Sequence, residues 1–203
     1  MSDDQARADI ALIRTALEQG RAYAFARSPD MIIWGCLVAA GYLGTWAFAT
    51  GHLAMRPGPL WLGVLAAGWL FYLVRRLLRR LPRRVPLGGP AARLGPLVTA
   101  LCMLWLGVGI SLTLTGVVGI LRGGMGAGWF NPIAAGVMGA GFFASAPLCN
   151  LPWLRWVAVA WWLGELALFW LHGTILVLPF AAALYLLLLA GPGLALRVRQ
   201  HAA

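Results

Sequence analysis

Of the six acidic residues in this 203-residue chain, Glu165 alone falls in the middle of an apolar run, AWWLGELALFWLHG at 160–173. His172 follows seven residues later, two helical turns on and on the same face. A carboxyl and an imidazole so spaced can pass a proton. Glu165 is then an intramembrane acid and His172 its outer relay, and the chain a small proton-linked transporter or channel. The competing expectation is structural. With no cation within reach along its own helix, an acid taken out of water favours its neutral form, which can donate a hydrogen bond to another helix. Tyr42, Ser111, Thr113 and Thr115 fall at similar depths in other apolar runs and are the candidate partners. Such contacts are worth only about 0.6 kcal/mol. The insertion cost of about 2.5–3.5 kcal/mol is readily offset by the Leu, Val and Phe around the acid. The structural role is the weightier expectation, because nothing in the run demands chemistry.

Little else in the chain resembles a reaction centre. No carboxylate pair, phosphate loop, nucleophile elbow or zincin helix is present, so an enzyme is not expected. His52 and His172 stand near opposite ends of the sequence's apolar core without ligand spacing, and Cys36, Cys102 and Cys149 are single and far apart. Neither set implies a metal, a haem or a disulfide framework, and no cofactor is expected.

The composition names the solvent. With 61% hydrophobic and 11% charged residues and a mean hydropathy of +0.80, the chain has too little polar surface to coat a soluble globule. The formal charge of +10 invites a nucleic-acid reading. Position argues against it, since every basic residue is Arg and most sit just outside apolar runs, as topology signals do. An Arg-only, Ala- and Gly-rich composition points to a bacterial genome rich in G and C. The opening MSDDQARADI is acidic where a secretory signal would be basic, so a cleaved leader is not expected and the inner membrane is the expected address.

Proline marks the helix starts, because a first helical turn tolerates its missing N–H. Ser28-Pro29, Gly58-Pro59, Gly95-Pro96, Asn131-Pro132 and Pro152 each head an apolar run. The expected fold is an all-α integral membrane protein in two parts. Residues 1–28 form an amphipathic cytoplasmic helix, and residues 29–203 a single bundle of six transmembrane helices. The spans are placed at about 30–50, 59–78, 96–121, 131–148, 152–171 and 174–195, with Asn131, Asn150 and Thr174 as helix caps. Placing both termini in the cytoplasm leaves only Arg56 and Arg122 outside.

The fringes suggest contacts. In the first helix Ser2 and Gln5 fit a capping box, while Ile10, Ile13 and Leu17 form an apolar stripe expected to dock, preferably on the chain's own bundle. Arg75, Arg76, Arg79, Arg80, Arg83 and Arg84 crowd the inner end of the second span and are a candidate anionic-lipid site. Small residues in the third and fourth spans predict the tight seam of the bundle. LVAAGYL (37–43) and VLAAGWL (64–70) repeat weakly. The deep Trp69, Trp105, Trp161 and Trp162 need packing or a partner for the indole N–H. The function expected is an accessory protein binding other membrane components: the lipid bilayer, anionic lipids at its inner face, and a protein partner or second copy.

Overall fold

The computed structural model describes residues 3–80, 95–121 and 127–201, and among these it is built of helices with no strand. They are α1 (Asp3–Ala49), α2 (Pro57–Arg80), α3 (Pro96–Leu121), α4 (Ala127–Leu148), α5 (Leu154–Trp170), α6 (Val177–Tyr185) and α7 (Gly191–His201). A π-helical turn, Leu186–Ala190, joins the last two into one rod. Among the described residues, four segments are long and apolar enough to cross a membrane: Asp9–Ala49, Pro57–Leu78, Pro96–Leu121 and Val177–Gln200. The chain is thus a helical bundle compatible with a membrane. Pro57 and Pro96 open their helices, as the missing N–H allows.

The expected break at Ser28-Pro29 is absent, and α1 runs 47 residues without interruption. The reason is local. Pro29 leaves the Phe25 carbonyl, four residues back, without its helical donor. The Ser28 hydroxyl donates to that same carbonyl at 2.9 Å, from a side chain that is itself buried. A polar group stranded in an apolar interior costs several kcal/mol, so this one bond removes the main reason for the helix to stop.

A related repair operates in the last rod. Pro192 cannot donate back into the π turn, and the Trp161 indole N–H donates to the Leu188 carbonyl at 3.1 Å. The turn bulges toward α1 at Gly35, where a Cβ would lie 2.7 Å from the Ala190 nitrogen and 3.0 Å from the Tyr185 carbonyl oxygen. Glycine is required there because the neighbours are backbone.

The tight seam is displaced from where the small residues suggested it. α4 packs most closely on α5, not on α3. A Cβ at Gly139 would come 2.5 Å from the Trp162 indole nitrogen, and one at Gly164 would come 2.8 Å from Leu184. Gly107 and Gly109 of α3 face space instead, with nothing within 4 Å of a Cβ at Gly107 and only the Trp69 ring, at 3.9 Å, near one at Gly109. α2 and α3 barely touch.

Three expected caps also move. Asn131 lies inside α4 rather than at its head, and Thr174 donates to the Leu171 carbonyl at 2.8 Å while Leu176 occupies the cap position of α6. Asn150 takes a left-handed conformation, φ 50°, in the turn between α4 and α5. Ser2 lies outside the described residues.

Two substitutions check this packing by thermal unfolding. Gly35→Val is expected to cost about 1–3 kcal/mol, since it must displace backbone. Gly63→Ala, exposed and with nothing within 4 Å of the added carbon, is expected to stabilise by about 0.5–1 kcal/mol.

Candidate functional site

Because α2 and α3 hardly meet, the bundle encloses a chamber of about 590 Å³, neither sealed nor a surface groove. Residues 34, 38, 42 and 45 of α1 line it, and so do residues 61, 65, 69 and 72 of α2. That four-, four-, three-residue spacing is one face of a helix in each case. The two sets are also 27 residues apart, which is the offset of the weak repeat at 37–43 and 64–70. The geometry repeats with the sequence. Trp34 meets Trp69 edge-on at 6.0 Å as Trp61 meets Tyr42 at 4.9 Å. Trp34 covers Gly68 as Trp61 covers Gly41.

Most polar atoms of the wall are already paired to each other. The Trp61 indole donates to Thr45 at 3.0 Å, Trp69 to Thr113 at 3.1 Å and Trp105 to Ser145 at 3.0 Å. The Tyr42 hydroxyl donates to the Asn131 side-chain oxygen at 2.7 Å. Of the deep tryptophans, Trp69 and Trp105 find side-chain partners and line the chamber, Trp161 donates to the Leu188 carbonyl away from it, and Trp162 packs against Gly139. Phe142, Tyr185 and Leu189 continue the apolar lining across α4 and the last rod.

Charge is confined to one end. Asp30 accepts from Arg27, one turn earlier on α1, at 2.9 Å, and also from Arg75 on α2. Arg75 donates its other amino group to the Ala26 carbonyl at 2.9 Å. The Arg27 guanidinium lies over the Tyr23 ring at 5.5 Å and the Tyr72 ring at 5.4 Å, within cation–π range. Two cations share one carboxylate, which leaves the cluster with a formal charge of +1. Tyr23, Arg27, Asp30 and Tyr72 all line the chamber, and the buried Tyr23 hydroxyl meets no hydrogen-bond criterion with any described residue.

The residues singled out from sequence are dispersed. Glu165 does not line the chamber; its carboxyl oxygens lie against α4, 2.8 and 2.9 Å from where a Cβ at Gly136 would be. None of its four candidate partners bonds to it. Tyr42 pairs with Asn131, Thr113 with Trp69, and the Thr115 hydroxyl donates to the Ser111 carbonyl at 2.7 Å. Glycine at 136 is the physical reason the acid rests there, since the space a side chain would fill is what the carboxyl occupies. His172 is exposed in the turn after α5. Ile10 and Ile13 are exposed at 66% and 60%, so that stretch does not dock on its own bundle, while Leu17 is half-buried.

Arg75 turns inward to Asp30 instead of toward lipid, and Arg76 is exposed. The side chains of Arg79 and Arg80, with Arg83 and Arg84, lie outside the described residues. Sequence reasoning passed over Asp30 and treated Arg27 and Arg75 as topology signals. The three-residue spacing of Arg27 and Asp30, at the start of an apolar run, was the available signal.

No protein-family model, curated protein or solved structure matches the chain.

Asp30→Ala would leave Arg27 and Arg75 facing one another half-buried, and is expected to cost about 3 kcal/mol by chemical unfolding. Glu18→Ala, which breaks an exposed pair with Arg14, should produce no measurable change. Since Glu165 makes no hydrogen bond among the described residues, Glu165→Gln is expected to stay within about 0.5 kcal/mol of the parent in the same measurement.

Proposed function

We propose that this chain is a small multi-pass protein of a bacterial inner membrane that holds another membrane component inside its bundle without transforming it. Six crossings with both termini cytoplasmic suit this reading. α4 and α5 accompany the four segments that are long and apolar enough to cross a membrane, and the Arg distribution follows the positive-inside pattern. The chamber is the observation that carries the proposal. Its volume of about 590 Å³ falls within the roughly 300–1,000 Å³ of small-molecule sites, and it has their make-up of aromatic and aliphatic walls with a few convergent polar groups. Its titratable groups are an ion-paired cluster, tyrosines and the single buried Cys149 thiol, with no base or acid among the described residues placed to activate it, a set that suits recognition better than bond-breaking.

A second surface is favoured by exposure. Ile10, Leu12 and Ile13 stand 60–70% exposed on the cytoplasmic third of α1, beside acids that repel anionic lipid, which suits contact with a protein. On this reading the chain is an accessory component with one site for a small molecule and one for a partner.

Filling the chamber tests the first and larger claim. Gly109 lines it, and a side chain there would enter the open space beside Trp69. Protein extracted from its native membrane is expected to retain a hydrophobic component, identifiable by solvent extraction and mass spectrometry. Gly109→Phe is expected to lose it by about tenfold with no fall in melting temperature. Equal retention by both proteins, or none by the parent, would sink the proposal.

A further inference from the structure

We infer that the chamber takes an anionic single-chain amphiphile, or one chain of an anionic lipid, with its acidic head at Arg27 and its hydrocarbon along the Trp and Phe walls. The inference rests on the binding role proposed above and adds the class of ligand. Shape is the first argument. The lining on α1 runs from Tyr23 to Thr45, a rise of about 33 Å at 1.5 Å per residue, close to the thickness of a bilayer's hydrocarbon core at about 30 Å. The chamber of about 590 Å³ is thus drawn out along the helices, a form that suits an extended hydrocarbon chain.

The distribution of polar groups is the second argument. Along the walls, the Trp61, Trp69, Trp105 and Tyr42 donors are each spent on a neighbouring side chain. Those four donors are closed to a ligand, and although Trp34, Tyr185 and the Asn131 amide also line the wall, the lining there is mainly ring and aliphatic surface, which accepts hydrocarbon. At the charged end the situation reverses. The guanidinium of Arg27 carries five N–H donors in a fixed fork, and the buried Tyr23 hydroxyl meets no hydrogen-bond criterion with any described residue. Together with Arg75 and Asp30 this end carries a formal charge of +1 in surroundings that are at most about a quarter exposed, with side-chain exposures of 26%, 22% and 13% for Arg27, Arg75 and Asp30. A carboxylate or phosphate head completes the neutralisation, and the guanidinium fork can donate to two of its oxygens at once. A neutral head leaves the charge uncompensated, and a cationic one adds to it.

The third argument is access. α2 and α3 touch at few points, among them Trp69 with Thr113 and Gly58 beside Ile120. A chain arriving from the bilayer has only these contacts to part.

The test uses the full-length protein in lipid nanodiscs with photoreactive diazirine probes: palmitic acid, hexadecanol of equal chain length, and phosphatidylglycerol. Labelled peptides are mapped by mass spectrometry. Palmitic acid is expected to label the chamber-lining stretches 61–72 and 105–113 about tenfold more than hexadecanol does. Labelling by phosphatidylglycerol as well identifies lipid as the natural source, and labelling by the free acid alone identifies a fatty acid; either outcome supports the inference. Arg27→Gln keeps the Arg75–Asp30 pair and should bring the acid down to the level of the alcohol. Asp30→Asn raises the cluster to +2 and should strengthen acid labelling, whereas a purely structural cluster would lose both probes together. Equal labelling by acid and alcohol in the parent overturns the anionic head while leaving the chamber as a binding site. Absence of label from both stretches with every probe overturns the chamber itself.

Discussion

Within a hydrocarbon layer, a backbone carbonyl without a donor has no water to turn to, and the arrangement of this bundle depends on meeting that constraint. Prolines lie inside several of the rods, and those at 29 and 192 each deprive the preceding turn of a donor. The Ser28 hydroxyl restores the bond at Phe25, and the Trp161 indole supplies one at Leu188. Their consequences differ. At Pro29 the donor comes from the same helix, and α1 stays whole and serves as the spine on which α2, α6 and α7 pack. At Pro192 the donor comes from α5, so the repair also fastens α5 to the last rod.

With the spine intact, the remaining geometry is a matter of which faces can approach. Glycines bring α4 onto α5 and let the π turn settle against Gly35. On the other side of α1, large rings on both α1 and α2 hold these helices apart from α3. Bulk on one flank and its absence on the other convert a close-packed bundle into one with a chamber. The same rings anchor themselves through their polar atoms. Each indole bonded to a Thr or Ser is fixed in orientation, so the apolar surface is held in place before any guest arrives.

Much of this was written in the sequence at the level of composition and period. The helical class, helices long and apolar enough to cross a membrane, the start of α3 at Pro96, that of α2 to within two residues, and the need of Trp69 and Trp105 for partners follow from hydropathy, proline chemistry and indole polarity. The failures share one cause, which is that the deciding partner is remote. Pro29 reads as a start unless the bond from Ser28 to Phe25 is foreseen. Glycines on α3 read as a seam, but whether a small residue admits a helix or faces a void depends on the opposite side chain. Glu165 drew attention as the acid in the deepest apolar setting, while Asp30, less conspicuous at the edge of a run, gathered two arginines because α2 brought Arg75 beside it. The repeat at 37–43 and 64–70 was visible as letters and gained meaning only when both copies proved to carry the same face of the chamber.

The uninterrupted α1 has one more consequence. At about 1.5 Å per residue its 47 residues span roughly 70 Å, more than twice the hydrocarbon thickness, so a long arm projects past the charged end of the chamber. Ile10 and Asp30 belong to the same stiff lever, with the fulcrum where Gly20 abuts the end of α4 at Leu148. The arm and the Arg27–Asp30–Arg75 clasp are joined by continuous helix, with no loop between them. Mechanically, the two ends are a single part.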